Sequence, residues 1–239
     1  MRLDLFLAEC GLSKSRTHAQ NLIKLGKVIV DGTIVSKASL EISGNEIITV
    51  DNKDDYASLG GLKLQKAINH YKIDVNNKIC IDIGASNGGF TDVLLRGGAS
   101  KVYAVDIGEC ALPQEMVEDD RVVVKDKLNA RYLTFEDIGI KADIITIDVS
   151  FISLTMILPA LMQFTTDDTA IIALIKPQFE VGRASLTKTG IVKNQKATDQ
   201  AIKKITDFAS AIGLYHESVI EAPHPFENKN KEYLVLLHK

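Results

Sequence analysis

Apolar and polar positions follow two different rhythms along this chain, and the rhythm changes near residue 50. Before that point, Leu3, Phe6 and Leu7 recur at helical spacing and Gly11 follows, which predicts a short helix and its stop. Ser13 or Ser15 can cap a second helix that turns Ala19, Leu22 and Ile23 inward and ends at Gly26. Val28-Ile29-Val30-Asp31-Gly32-Thr33-Ile34-Val35 reads as two strands around an Asp-Gly turn, and Ile47-Ile48-Thr49-Val50 as a closing strand.

After residue 50 the apolar positions become continuous. Ile79–Ile83, Lys101–Asp106, Val122–Val124, Ala142–Asp148 and Thr169–Ile175 read as strands buried on both faces. Helices are expected from Ser58 to Ile68, from Thr91 to Gly97, from Ser153 to Gln163 and from Lys196 to Ile212. Two last strands, Leu214–Ile220 and Glu232–His238, bring the expected sheet to seven, and the short 221–231 connection suits an antiparallel final pair. Alternating strands and helices predict an α/β, Rossmann-like fold with a largely parallel sheet, behind a small N-terminal α+β domain. The polar run Asp51-Asn52-Lys53-Asp54-Asp55 separates them, so the expected division is a domain over 1–50, a linker over 51–60 and a domain over 61–239. Lys203-Lys204 reads as a solvated helix face.

The stretch Ile79-Cys80-Ile81-Asp82-Ile83-Gly84-Ala85-Ser86-Asn87-Gly88-Gly89-Phe90 joins a strand to a helix through small residues. Glycine there lets a ligand lie against the main chain without meeting a Cβ. Asp106 ends the next strand 22 residues after Gly84, where doubly wound folds grip ribose hydroxyls. A dinucleotide turn would read G-x-G-x-x-G, with its second glycine making room for pyrophosphate. Here Ala85-Ser86 occupies that place, and the turn is similar to the first motif of S-adenosylmethionine-dependent methyltransferases.

Composition changes little in this picture. Hydrophobic residues are 46% and charged residues 25% of 239, as in ordinary globular domains. Cys10, Cys80 and Cys110 form no C-x-x-C pair and fit reduced thiols in a cytoplasmic protein, Cys80 as core packing. Arg2, Asp4 and Glu9 punctuate the first apolar patch, so no signal peptide is expected, and no run approaches the ~20 residues of a membrane span. Net charge is −3, but residues 1–40 carry six basic against three acidic residues, which leaves −6 for the rest. A basic head on an acidic body is compatible with docking on phosphate.

Arg2-Leu3-Asp4, Ser15-Arg16, Leu22-Ile23-Lys24, Gly26, Val28 and Val30-Asp31-Gly32 resemble the S4 RNA-binding domain. That resemblance implies that Lys14, Arg16, Lys24 and Lys27 contact RNA phosphates, which positions a protein without reading bases. Further on, four segments resemble the TlyA (hemolysin A-type) family of S4-linked, FtsJ-like ribosomal RNA 2′-O-methyltransferases. They are Gly60-Gly61-x-Lys63-Leu64, Asp82 to Asp92, Asp148-Val149-Ser150-Phe151-Ile152-Ser153-Leu154 and Lys176-Pro177-Gln178-Phe179-Glu180. By resemblance, the fold is a seven-stranded methyltransferase sheet, the methyl donor is S-adenosylmethionine, and the partners are ribosomal RNA and ribosomal subunits. The family's Lys-Asp-Lys-Glu tetrad falls on Lys63, Asp148, Lys176 and Glu232, and its cofactor positions on Gly84, Ala85, Ser86, Gly88, Asp106 and Asp126. The chain departs from the family pattern at Leu59, Cys110, Ala111, Val117, Phe226 and Lys229, which bears on cofactor affinity and RNA fit and leaves the tetrad whole.

The expected chemistry is alignment of a ribose 2′-hydroxyl with an activated methyl, plus removal of one proton. Lys176 is the expected acceptor of that proton, with Lys63 favouring a neutral amine and Asp148 and Glu232 orienting the two lysines. No metal is expected, because no His/Cys/Asp cluster has ligand spacing. His224 and His238 read as loop and terminal residues. Three rival readings remain. Asp148-Val149-Ser150-Phe151 stands where base N-methylases hold a flipped amino group, although their two prolines are missing. An S4-guided assembly factor with a decayed catalytic half would account for Leu59, Cys110 and Val117. A membrane-damaging activity has only the family's hemolysin label behind it.

Overall fold

The structure, a computed structural model, describes residues 1–51, 56–223 and 229–239. Internal contacts gather it into two units, Met1–Asp55 and Tyr56–Lys239. Asn52 to Asp55 of the expected linker, and His224 and Phe226, lie outside the described residues.

In the small unit, helices Leu3–Glu9 and Arg16–Lys24 pack on strands β1 (Val28–Val30), β2 (Thr33–Ile34) and β3 (Ile48–Val50) in the antiparallel order β2-β1-β3. Ser15 is the cap, accepting the His18 amide at 3.1 Å. The hairpin turns at Asp31 and Gly32, both at positive φ, and Asp31 Oδ1 also accepts the Ile47 amide at 2.8 Å, tying the closing strand to the turn. Leu3, Leu7, Ala19, Leu22, Ile23 and Val28 form its core.

Asp4 is wholly buried beside that core and gathers three partners. Arg2 grips it with two bonds of 2.9 and 3.0 Å, Gln20 with one of 2.7 Å and Arg16 with one of 3.0 Å. The bonds from Arg2, then those from Gln20 and Arg16, outweigh burial and hold the carboxyl well below its usual range. A depressed folded-state pKa stabilises above the unfolded value of about 3.9 and is lost as pH falls. Residues 1–51 should therefore loosen on acidification below about pH 4. Asp4→Asn should speed amide exchange in these residues roughly tenfold at neutral pH and leave residues 56–239 unchanged. Equal exchange in both proteins would contradict this role for Asp4.

In the large unit the strands are β4 (Ile79–Ile83), β5 (Lys101–Val105), β6 (Val122–Lys125), β7 (Ile144–Ile147), β8 (Ala170–Ile175), β9 (Tyr215–His216), β10 (Ile220–Glu221) and β11 (Tyr233–His238). Their order is β10-β11-β8-β7-β4-β5-β6, with β9 also on β11. The pairs from β6 to β8 are parallel, and β11 runs antiparallel to β8. Alternate residues of each apolar run face opposite cores. Ile171, Ala173 and Ile175 join one, and Ile172 and Leu174 join the other. Both faces are covered, which is why these runs lack polar alternation.

Three expectations change. The Leu214–Ile220 strand is two short pieces, so the sheet has eight strands among the described residues; Tyr71 Oη donates to the Ser218 carbonyl between them at 2.6 Å. The Ser153–Gln163 helix is broken into Leu154–Met156, Leu158–Leu161 and Met162–Phe164 turns around Pro159, which has no amide to continue a helix. Tyr56 to Gly60, expected in the linker, belong to the large unit: Tyr56 is buried and the Ala57 amide donates to Asp92 Oδ2 at 2.8 Å. Among the described residues no helix is long and apolar enough to cross a membrane.

Candidate active site

Register brings the chemistry to one edge of the sheet. Ile83 pairs with Val105 on one side and Ile147 on the other, so Gly84, Asp106 and Asp148 leave their strands side by side. Ile147 opposes Ala173 and Tyr233 opposes Ile175, so Lys176 and Glu232 reach the same edge from opposite directions. This is the carboxyl end of the parallel strands, where open α/β sheets bind ligands.

The Gly84 turn is held tightly. Gly84 sits at φ +86°, and a Cβ there would lie 2.3 Å from the Asp148 carbonyl oxygen. Ser86 takes φ +48°, and its amide donates to Asp106 Oδ2 at 2.9 Å, while Gly108 donates to Asp106 Oδ1 at 2.8 Å. Gly88 opens the following helix, Gly89–Arg96, at φ +78°. Beneath the turn, Asp82 is wholly buried and accepts from Thr91 at 2.7 Å and Thr146 at 2.8 Å. Burial pushes its carboxyl up to about 6 against those two bonds, and Asp148 adds to the rise.

Two pockets open on this turn. The larger, about 490 Å³, has apolar walls from Val105, Ile107, Ile152 and Ile157, with Asp106 and Asn129 as polar groups. The smaller, about 200 Å³, is lined by Ser58, Lys63, Ala85, Asn87, Phe90 and Lys176 among others. They share Gly84, Ser86, Asp148 and Ser150.

The four tetrad residues are brought together as two ion pairs. Lys63 Nζ donates to Glu232 Oε2 at 2.6 Å, across 169 residues of sequence. Lys176 Nζ lies 2.6 Å from Asp148 Oδ1, while its directed hydrogen bond goes to Ser150 Oγ at 2.9 Å. Side chains of the Lys176–Asp148 pair are only 11% and 20% exposed. Asp148 Oδ1 is buried and faces the ammonium without a directed hydrogen bond, so the pair is held by charge. Each lysine has one carboxylate, so the cluster balances two charges of each sign.

Other expected residues fall elsewhere. Gly88 and Asp126 line neither pocket. A Cβ on Gly88 would meet Leu112 at 2.8 Å, and Asp126 Oδ1 accepts the Cys110 amide at 2.7 Å. At the departures Cys110 and Ala111 the backbone amides are both used, the second donating to the Ser86 carbonyl at 2.8 Å, and the Cys110 thiol lies 3.9 Å from the Ala104 carbonyl. Leu59 precedes the Gly60–Tyr71 helix that carries Lys63, and Val117 is exposed. In the small unit, Lys14 and Arg16 stand at the start of the Arg16–Lys24 helix, and Lys24 and Lys27 at and just beyond its end. Arg2, which the sequence reading did not assign, shares Asp4 with Arg16.

Sequence reasoning also missed Ser58, Ser150 and Phe151 as lining residues. Phe151 lies at φ +64° with 91% of its surface exposed, its ring 5.0 Å from that of Phe179. The signal was a large aromatic in a polar loop just past a strand end. Lys204 corrects another reading: Lys203 pairs on the surface with Asp207, but Lys204 Nζ reaches the buried Glu180 at 2.9 Å.

A parallel sheet with an antiparallel last strand, a glycine turn and a paired acid at the next strand end defines the class of doubly wound methyltransferases. Within it, the chain belongs to the FtsJ-like methyltransferase family, whose model matches residues 56–239, and an S4 domain matches residues 1–48. It is 38% identical to the 16S/23S rRNA (cytidine-2′-O)-methyltransferase TlyA of Mycobacterium tuberculosis over 99% of this chain and 89% of that relative. It is 41% identical to Hemolysin A of Brachyspira hyodysenteriae, covering 87% of this chain and 88% of that one. A solved structure from Streptococcus thermophilus, provisionally named a hemolysin, is 36% identical with a TM-score of 0.77, covering 100% of this chain and 88% of that chain.

Proposed function

We propose that this protein transfers a methyl group from S-adenosylmethionine to the ribose 2′-hydroxyl of a cytidine in ribosomal RNA, in the cytoplasm. Residues 1–50 dock the RNA through Lys14, Arg16, Lys24 and Lys27, and the large unit from Tyr56 to Lys239 catalyses. The observation that carries the reading is the Lys176–Asp148 pair at the junction of the two pockets. TlyA of M. tuberculosis, 38% identical along nearly the whole chain, supports the substrate class.

The larger pocket fits the donor. Its size is that of a small-molecule site, its apolar walls suit an adenine, and Asp106 and Asn129 suit ribose hydroxyls. Gly84, Ala85 and Ser86 leave main chain exposed along the junction, with Gly88 and Asp126 holding the turn and the Cys110 loop. Bound there, S-adenosylmethionine supplies an already activated sulfonium methyl.

The chain's own work is to align and deprotonate the acceptor. Lys176 Nζ takes the proton of the ribose 2′-hydroxyl, which would leave that oxygen free to accept the methyl of a donor held in the larger pocket. Lys176 releases its resting proton to solvent beforehand, and Asp148, a carboxylate 2.6 Å from Nζ, orients the amine and balances the ammonium that forms. Lys63 is held by Glu232, so its charge stays near the acceptor oxygen without competing for Asp148. Ser150 fixes the Lys176 rotamer.

Phe151 offers its face to a nucleobase. Single-stranded bases stack on exposed aromatics, each stack being worth about 1–3 kcal/mol. Phe151→Ala should lower kcat/KM for RNA about 10–100-fold, with a much smaller effect on S-adenosylmethionine affinity, since its exposed ring stands at the rim of the larger pocket. A variant with wild-type kcat/KM would remove Phe151 from the account. The reading as a whole is tested by treating unmodified ribosomal subunits with the protein and S-adenosylmethionine and mapping alkali-resistant linkages. A new resistant linkage at a cytidine supports it; methyl incorporation without one overturns it.

A further inference from the structure

Glu180 is a carboxylate only 1% exposed that lines neither pocket. Burying a charge is costly unless donors surround it. Here Oε1 accepts the Leu154 amide at 2.8 Å, and Oε2 accepts from Ser153 Oγ at 2.5 Å and Lys204 Nζ at 2.9 Å. Lys204 Nζ also donates to Ser153 Oγ at 3.2 Å and the Glu180 carbonyl at 3.1 Å, so all three of its protons are used. Lys204 belongs to the long Gln195–Ala211 helix, a rigid support for the network.

The places where these groups stand in the chain give the network its meaning. Lys176 caps the short Pro177–Glu180 helix, and Glu180 closes it. Asp148 opens the loop that carries Ser150 and Phe151, and Ser153-Leu154 end it. The β7–β8 ladder aligns the near ends of these two segments, but its last register pair is Ile147 with Ala173. Beyond the ladder, Glu180 ties their far ends together. Val149 and Ile152 pack the loop's two sides against the core, but Phe151 at its centre is exposed and at positive φ, so the tip depends on how its ends are held.

We propose that Glu180, with Lys204 as its counter-ion, is the positioning residue that holds the Asp148–Ser150–Phe151 loop in register with Lys176. This inference rests on the ribose methyltransferase reading and extends its machinery to residues that touch neither donor nor acceptor. Removing the clamp should let Asp148 and Ser150 drift from Lys176, while the donor-pocket residues outside this loop, Val105, Asp106, Ile107 and Asn129, keep their places.

The test uses the whole protein with ribosomal RNA. Glu180→Ala should lower kcat about 10²-fold, the cost of misplacing reacting groups by about 1 Å, with S-adenosylmethionine affinity by calorimetry lowered far less. Glu180→Gln keeps an acceptor for the Leu154 amide and should recover most of that loss. A kcat at the wild-type level in Glu180→Ala, or a loss of donor affinity in step with kcat, overturns the positioning role. If Glu180→Ala does not fold, Lys204→Met and Ser153→Ala decide. Each should lower kcat far more than donor affinity, and wild-type kcat in both overturns the proposal. A wild-type protein that methylates no ribose would overturn the underlying reading, and this inference with it. An active wild type beside an indifferent Glu180→Ala overturns this inference alone.

Discussion

Lys176→Met should bind S-adenosylmethionine as the wild type does and transfer its methyl about 10²–10⁴ times more slowly, the usual contribution of a positioned base. Methionine fills much the same space and cannot accept the proton. Donor affinity should survive because Lys176 lines the smaller pocket and not the larger one. The substitution leaves Asp148 as a largely buried carboxylate without its cation, which destabilises the site independently of catalysis. Asp148→Asn combined with Lys176→Met removes that stray charge and should restore stability but not turnover. Single-turnover transfer with calorimetry of donor binding separates the two effects. Turnover near the wild-type rate in a folded Lys176→Met protein would exclude Lys176 as the proton acceptor.

Gly84→Ala should abolish measurable donor binding. The added Cβ would meet the Asp148 carbonyl oxygen at 2.3 Å and its carbon at 2.9 Å, and backbone cannot step aside as a flexible side chain does. The φ of +86° costs an L-residue about 1–2 kcal/mol more. Relief requires the turn to withdraw from the end of β7, which separates Ser86 from Asp106 and spreads the junction between the pockets. A fall of 100-fold or more in affinity is expected, together with a lower unfolding temperature. Donor affinity within a factor of about two of the wild type would show that the turn tolerates a side chain and that its tightness is not functional.

The sheet was legible because its strands are buried on both faces. Ala170–Ile175 has no polar interruption, and in Ile79–Ile83 the single polar residue, Asp82, is itself buried. The split between β9 and β10 was harder to see, since it depends on a tyrosine hydroxyl from residue 71 reaching the Ser218 carbonyl. Glu217 and Ser218, polar in the middle of an apparent strand, were its only local trace. Pro159 did announce the break in the helix after β7, but the apolar spacing around it masked the signal. The site was legible as residues and not as pairs. Strand ends mark Asp148 and Lys176, whereas nothing local says that Glu232 belongs to Lys63 rather than to Lys176, its neighbour in register. Lys204 shows the same gap: a lysine beside a second lysine on an amphipathic helix reads as solvated until the fold brings Glu180 beneath it. Resemblance to a family supplied the tetrad, and tertiary contact alone supplied its pairing.

Replacing the mapped cytidine of the RNA substrate by 2′-deoxycytidine removes one oxygen and leaves every base edge in place. The account predicts that methyl transfer to that nucleotide disappears, while RNA and S-adenosylmethionine still bind. Undiminished transfer to the deoxy substrate would place the methyl on the base and contradict the role given to Lys176 and Asp148.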